Sequence, residues 1–200
     1  MPIPLILRWI MRNRLKNKNF TLLSYNCISG IVYHCLGQRF LSPTVNLMVG
    51  ETMRDFYKFC SNMDYYLSLP IEQVSQRKEY PYPIGMLGDI LLQFVHSKNF
   101  EDAVSDWESR KKRINIKNLY IIANDYVTAN ETLTKEEILA FGKLPCKNLV
   151  IFTQKPYSDI PYAYYLGPKK MGRMMCTNPL TGLRYFEFYW DYVKWINSSR

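Results

Sequence analysis

Most of the compact motifs that announce common chemistries are missing from this chain. There is no Gly-x-Gly-x-x-Gly, no Gly-x-x-x-x-Gly-Lys-Ser/Thr, no His-Glu-x-x-His and no Gly-x-Ser-x-Gly. Nicotinamide binding, P-loop chemistry, zincin proteolysis and esterase chemistry therefore have no sequence support. No Asp-x-Asp pair marks a metal-dependent nucleotide-sugar transferase, and the 9 glycines show no six-residue period of a left-handed β-helix. Histidine is scarce, with only His34 and His96, and the 5 cysteines are scattered without a Cys-x-x-Cys pair. A structural zinc site and a disulfide framework are thus unsupported, no metal ligands are assigned, and the free thiols fit a reducing cytoplasm. No run approaches the ~20 apolar residues of a membrane span. No cofactor is identifiable from motifs.

Acid is absent from residues 1–18, which carry Arg8, Arg12, Arg14, Lys16 and Lys18. These five bases supply more than half of the net charge of +9 and leave four charges for the rest of the chain. A nucleic-acid face would place more charge in the body of the domain, so no nucleic-acid partner is expected. Arg8 interrupts the apolar piece of this tip, and most of the charge follows it, which is the reverse of secretory-signal order. The chain divides into a basic amphipathic N-terminal segment, 1–18, and a single α/β domain, 19–200. The tip either docks on the domain or lies on anionic lipid as a peripheral contact at the inner membrane face.

What is present is ordinary globular material, 48% hydrophobic and 22% charged, with a high aromatic share of 15%. Residues 20–24 form an apolar run that predicts a short buried strand, followed by a helix over 28–36 with Gly37 as its C′ residue. A second strand is expected over 44–49. A helix over 51–67 would bury Phe56, Phe59, Cys60, Met63 and Leu67. Residues 84–97 read as one long strand or two sequential ones, loosened by Gly85 and Gly88. Asn99 is a candidate N-cap for a helix bearing Phe100, Val104, Trp107 and Ile114. The strand "NLYIIAN", a capping box Thr134-x-x-Glu137 opening a helix through Phe141, and the strand "KNLVIFT" follow. A closing helix would bring Phe188, Tyr192 and Trp195 back to the core. Strands and helices alternate, and several strands are unbroken apolar runs. This predicts a three-layer Rossmann-like α/β sandwich with a mostly parallel sheet.

Ligands bind beyond the carboxyl ends of the strands in such sheets. Four apolar runs end in polar knots: Asn26-Cys27-Ile28-Ser29, His96-Ser97, Asn124-Asp125 and Gln154-Lys155. If the strands run parallel, the knots share one rim. Cys27, His96 and Asp125 are the catalytic candidates, a thiol at a helix start, a general base and a carboxylate. An inert thiol, a structural histidine and a loop cap are the competing readings. Asn26, Ser29 and Gly30 are candidates for substrate or phosphate binding, because amides of a helix start open toward anions. Asp89, Arg110, Arg113 and Lys155 are further candidates. Plain capping, a turn aspartate or a solvated helix end would equally explain several of them. The opening strand, apolar at successive positions, is expected to be central.

The stretches "LLSYNCISGIVYHCLGQRFLSPTVNL", "YPIGMLGDILLQFVH", "WESRKKRIN" and "LPCKNLVIFTQKPY" resemble a bacterial family of unknown function. Its members are commonly described as exopolysaccharide or capsule biosynthesis proteins. The resemblance runs from about Phe20 to Tyr157 and matches Asp89, His96, Trp107, Arg110 and Arg113 to family motif positions. In the family this knot resembles Asn-Cys followed by a Gly-Gly pair, and here Ser29 replaces one glycine. The resemblance implies a pathway and not a reaction. Two functions are carried forward. One is a transferase of surface-polysaccharide assembly that takes a glycan or nucleotide-sugar substrate. The other is a non-catalytic assembly or regulatory protein at the membrane surface.

Overall fold

The computed structural model describes residues 3–75, 77–128 and 130–198. In chain order the elements are α1 (Ile3–Arg14), β1 (Thr21–Ser24), α2 (Ile28–Leu36), β2 (Met48–Val49), α3 (Met53–Ser61) and α4 (Met63–Ser68). Then come β3 (Glu72–Gln73), β4 (Ile84–Leu87), β5 (Ile90–Gln93), α5 (Phe100–Lys111) and a 3-10 turn, Ile116–Asn118. β6 (Leu119–Asn124), β7 (Tyr126–Thr128), β8 (Glu131–Thr132), α6 (Lys135–Phe141) and β9 (Asn148–Thr153) follow. β10 (Ala163–Tyr165), α7 (Pro168–Met171), α8 (Phe186–Tyr189) and α9 (Tyr192–Asn197) complete the chain.

The α/β class holds and one sheet is parallel as expected, but the remaining strands lie outside it in antiparallel sheets. Four strands in the order β1-β6-β9-β10 form a fully parallel sheet. The sheet β2-β5-β4-β3 and the ribbon β7-β8 are antiparallel. Residues 84–93 explain the difference. They fold back on themselves as a β4–β5 hairpin through Gly88, at φ 62°, and Asp89, so β5 lies outside the parallel sheet.

Period-two geometry sorts the parallel sheet into two apolar faces. Leu23, Ile121, Ala123, Leu149 and Ile151 join a core with α3, α5, α6 and the antiparallel sheet. Leu22, Tyr120, Ile122, Val150 and Phe152 join a second core with α2 and α9. Each fully buried side chain of this kind contributes about 1.5–3 kcal/mol. Covered on both faces, the strands read as unbroken apolar runs.

β1 is nevertheless an edge strand, not a central one. Its free edge is closed by side chains rather than by a neighbour. The Tyr33 hydroxyl accepts from Leu22 N and donates to Phe20 O, both at 2.9 Å, and Thr44 Oγ1 accepts from Ser24 N. Full burial suggests an inner strand, and α2 with the 41–46 loop supplies that burial instead.

Three other expectations shift. The helix over 51–67 breaks at Asn62 (φ −128°, ψ 40°) into α3 and α4. The strand over 44–49 shrinks to Met48–Val49, because residues 43–46 turn and Asn46 takes φ 66°. The closing helix breaks at the extended residue Trp190, so Phe186 is buried while Phe188 points outward. The Thr134–Glu137 capping box and the Asn99 cap are both formed.

α1 lies on the body of the domain. Arg12 Nε donates to Cys35 O at 3.0 Å, Leu15 is buried, and the Asn197 side chain bonds the backbone of Arg14 and Lys16. Its outer face leaves Leu5, Ile6, Trp9 and Ile10 exposed. Among the described residues no helix is long and apolar enough to cross a membrane.

Candidate functional site

The chain leaves β1 through a tight turn whose polar groups are mutually satisfied. Ser24 Oγ donates to Asn26 O and accepts from Ser29 N at 3.0 Å, and Asn26 Oδ1 accepts from Ile28 N at 3.1 Å. The amides of Ile28 and Ser29 at the helix start are therefore engaged and not open to an anion, and Ser29 is fully buried with its Oγ facing no partner among the described residues. Gly30 serves close approach rather than the turn. A Cβ there would stand 2.6 Å from Asn46 Oδ1 and 3.2 Å from Val45 Cγ1.

Beside this turn opens a cavity of about 480 Å³ lined by Cys27, Gly30, His34, His96, Arg8 and Arg184 among others. Both histidines of the chain stand on its wall. Each is exposed, and neither imidazole is hydrogen-bonded to a described residue. α1 supplies Arg8, the turn into α2 supplies Cys27, α2 supplies His34, and the loop after β5 supplies His96. The expected meeting of Cys27 and His96 thus occurs, although β5 is not a neighbour of β1 in the parallel sheet. A connection from the antiparallel sheet delivers the imidazole.

The segment 175–187 forms the far wall. Arg184 is held by Met175 O at 3.0 Å and Thr177 Oγ1 at 2.5 Å, and its own backbone N–H donates to Glu187 Oε2 at 2.7 Å. Glu187 is buried and also accepts from the Tyr192 hydroxyl at 3.1 Å. Burial and the Glu187 carboxylate push the Tyr192 phenol up, and the same two causes push the Cys35 thiol up to about 12. Arg8 Nε is buried here with no hydrogen-bond partner among the described residues. Cys27 is half-buried, and burial pushes its thiol up while Arg184 pulls it partly back. The net direction is upward, opposite to what a helix start alone would give. Four cationic or protonatable nitrogen groups, Arg8, Arg184, His34 and His96, and one buried carboxylate around a thiol make a pocket suited to an anionic substrate and proton transfer.

Asp125 does not reach this space. It is 1% exposed, accepts from Gln154 N at 2.7 Å, and ties the exits of β6 and β9 together. Its own N–H donates to Phe152 O and its carbonyl accepts from Leu133 N. Desolvation raises its pKa despite these donors. Lys155 is exposed beside it and lowers that pKa only slightly. Asp89 sits in the hairpin turn, paired with Lys58 and bonded by the Tyr66 hydroxyl. Arg110 is buried, donates to Val45 O at 2.9 Å, pairs with Asp106 and stacks over Phe40, so it clamps the 40–45 loop onto α5. Arg113 folds back on Ser109 of its own helix. None of these five lines the cavity.

Arg8, Arg184 and Glu187 are not legible as site residues in the sequence. Arg8 reads as one of several bases in a terminal tip. Arg184 and Glu187 lie more than 150 positions from Cys27 and belong to no motif. A second cavity of about 440 Å³ near Asn148, Trp190 and Trp195 carries no histidine, cysteine or charged side chain. No group of three or more His, Cys, Asp or Glu suited to a metal ion occurs among the described residues.

A family model described as "Domain of unknown function (DUF1919)" matches residues 6–197. The chain belongs to the DUF1919 family. The matched region runs from within α1 to the end of α9, so every residue that lines the Cys27 cavity lies within the DUF1919 domain. A Haemophilus influenzae protein bearing the name "Uncharacterized protein" is 34% identical over 193 residues, covering 94% of this chain and 89% of the relative.

Proposed function

We propose that this DUF1919 protein is a transferase whose substrate carries a phosphate or pyrophosphate group, held in the Cys27 cavity. The observation that carries the reading is the gathering of both histidines with Arg8 and Arg184 around Cys27. Arg8 and Arg184 meet the phosphate oxygens, His96 acts as general base toward the attacking group, and His34 adds a second protonatable donor. Cys27, whose thiol burial pushes up, contacts the substrate rather than serving as the ready nucleophile of a lowered-pKa site. The sequence resemblance supports surface-polysaccharide assembly as the context, with a nucleotide-sugar or lipid-linked glycan as the substrate. Titrating nucleotide-sugars while following thermal stability tests it. A ligand at 100 Kd adds ~2.7 kcal/mol to folding stability. His96→Ala is expected to remove that gain without lowering the ligand-free midpoint. A panel of nucleotide-sugars that leaves the wild-type midpoint unmoved would defeat the reading.

The outer face of α1 favours a second, non-catalytic reading at the membrane surface. Leu5, Ile6, Trp9 and Ile10 are exposed together in a segment rich in bases. Co-sedimentation with anionic but not neutral vesicles, lost in Trp9→Glu, supports peripheral binding. If Cys27→Ala and His96→Ala still restore polysaccharide in a deletion strain, the assembly or regulatory role displaces catalysis.

A further inference from the structure

A third cavity, of about 400 Å³, lies at the carboxyl ends of the parallel strands themselves. Asn26 reaches it from the exit of β1, Asn124 from the end of β6 and Gln154 from the exit of β9. Tyr25, Tyr126 and a group of methionines from 48 and 171–175 make its apolar walls. Three consecutive strands of one sheet thus each present a primary amide to the same space.

The hydrogen bonds fix which way two of these amides face. Asn26 Oδ1 accepts from Ile28 N at 3.1 Å and Asn124 Oδ1 accepts from Tyr126 N at 2.9 Å. Only oxygen can receive a backbone N–H, so both NH2 groups point away from those bonds. No described residue accepts from either NH2, although Asn124 is only 9% exposed. Gln154 has the opposite arrangement. Its Nε2 leans on Asp125 Oδ1 at 3.4 Å, which leaves Oε1 available. The rim therefore offers two donors and one acceptor between aromatic and thioether walls.

We infer that this rim cavity is a subsite for a hydroxylated ring of the sugar class. Ring hydroxyls both donate and accept, which matches the mixed amide set, whereas a bare anion would meet the Gln154 oxygen unfavourably. The C–H face of such a ring packs on the Tyr126 ring and on methionine. Met175 lines both this cavity and the Cys27 cavity, and the successive residues Asn26 and Cys27 line one each. A sugar phosphate spans the two, with its ring among the amides and its phosphate near Arg184. The inference rests on the phosphate reading of the Cys27 cavity.

Isothermal titration with inorganic phosphate, and with glucose 1-phosphate, galactose 1-phosphate and N-acetylglucosamine 1-phosphate, separates the two subsites. At least one sugar phosphate is expected to bind ten-fold or more tightly than inorganic phosphate. Asn124→Ser retains an acceptor for Tyr126 N but removes the NH2, and Tyr126→Ala removes the ring wall. Each is expected to cut the sugar-dependent gain at least five-fold and to leave phosphate affinity unchanged. If no sugar phosphate exceeds phosphate, or the gain survives both variants, the ring subsite is overturned. If phosphate itself does not bind, the phosphate reading fails. Saturation-transfer NMR with the free sugars then decides the ring subsite alone. A sugar signal that the wild type shows and Asn124→Ser abolishes upholds it, and a wild type without any such signal overturns it.

Discussion

The exits of β1 and β6 are adjacent corners of one parallel sheet, yet they are built for opposite ends. Beyond β6, Asp125 is buried and bonds the Gln154 backbone, so the chain is stapled to the exit of β9. Beyond β1, the turn satisfies itself with Ser24 and Asn26, and the next side chain, Cys27, is left facing a cavity with two unengaged histidines. A polar residue at a strand end is therefore not a site by position alone. What separates the corners is whether the turn's backbone needs the side chain.

The sharpest way to break the comparison is to remove the staple. Asp125→Ala leaves the part-buried Gln154 N–H without its acceptor and should cost about 3 kcal/mol in chemical denaturation. The pH dependence carries a sign. Desolvation raises the Asp125 pKa in the fold, so the folded state holds its proton more readily than the unfolded chain. The stability contribution of Asp125 is then largest below the ordinary carboxylate pKa and falls as pH rises to the raised value. Measured against Asp125→Asn, which cannot titrate, the wild type should lose relative stability over that window and stay level above it. Tyr33→Phe is next, at about 2 kcal/mol, because it strips the free edge of β1 of the hydroxyl that serves Leu22 N and Phe20 O. Gly30→Ala should cost about 1 kcal/mol, since Asn46 must yield where its Oδ1 lies 2.6 Å from the new carbon.

Much of this architecture is readable from the chain. Leu22–Leu23, 119–123 and 149–152 are apolar at successive positions because both faces of their sheet are covered. The Thr134–Glu137 box and the Asn99 cap are local chemistry, and local chemistry survives folding. Strand order is not readable, because the edge of β1 is closed by one tyrosine hydroxyl and a loop, which leave no period in the sequence. The site is half legible. Cys27 and His96 stand out as knots at strand ends, but a loop from the antiparallel sheet, and not a shared parallel rim, brings them together. Arg110 reads as a solvated helix end, and it turns inward because Val45 O and the Phe40 ring receive it. Arg184 bonds groups of its own segment, and Glu187 is held by Arg184 N and by the Tyr192 hydroxyl, so no motif marks either of them.

Thiol labelling tests the open corner most directly. Cys27 is half-buried in the cavity wall, Cys176 is exposed, and Cys60 is sealed in the core. Alkylation followed residue by residue by mass spectrometry, with and without inorganic pyrophosphate, compares all three in one sample. The account predicts that pyrophosphate slows labelling of Cys27 at least several-fold and leaves Cys176 unchanged, and that Arg184→Lys weakens the protection. Cys27 labelling that is indifferent to saturating pyrophosphate, or protection that is equal at Cys176, would contradict it.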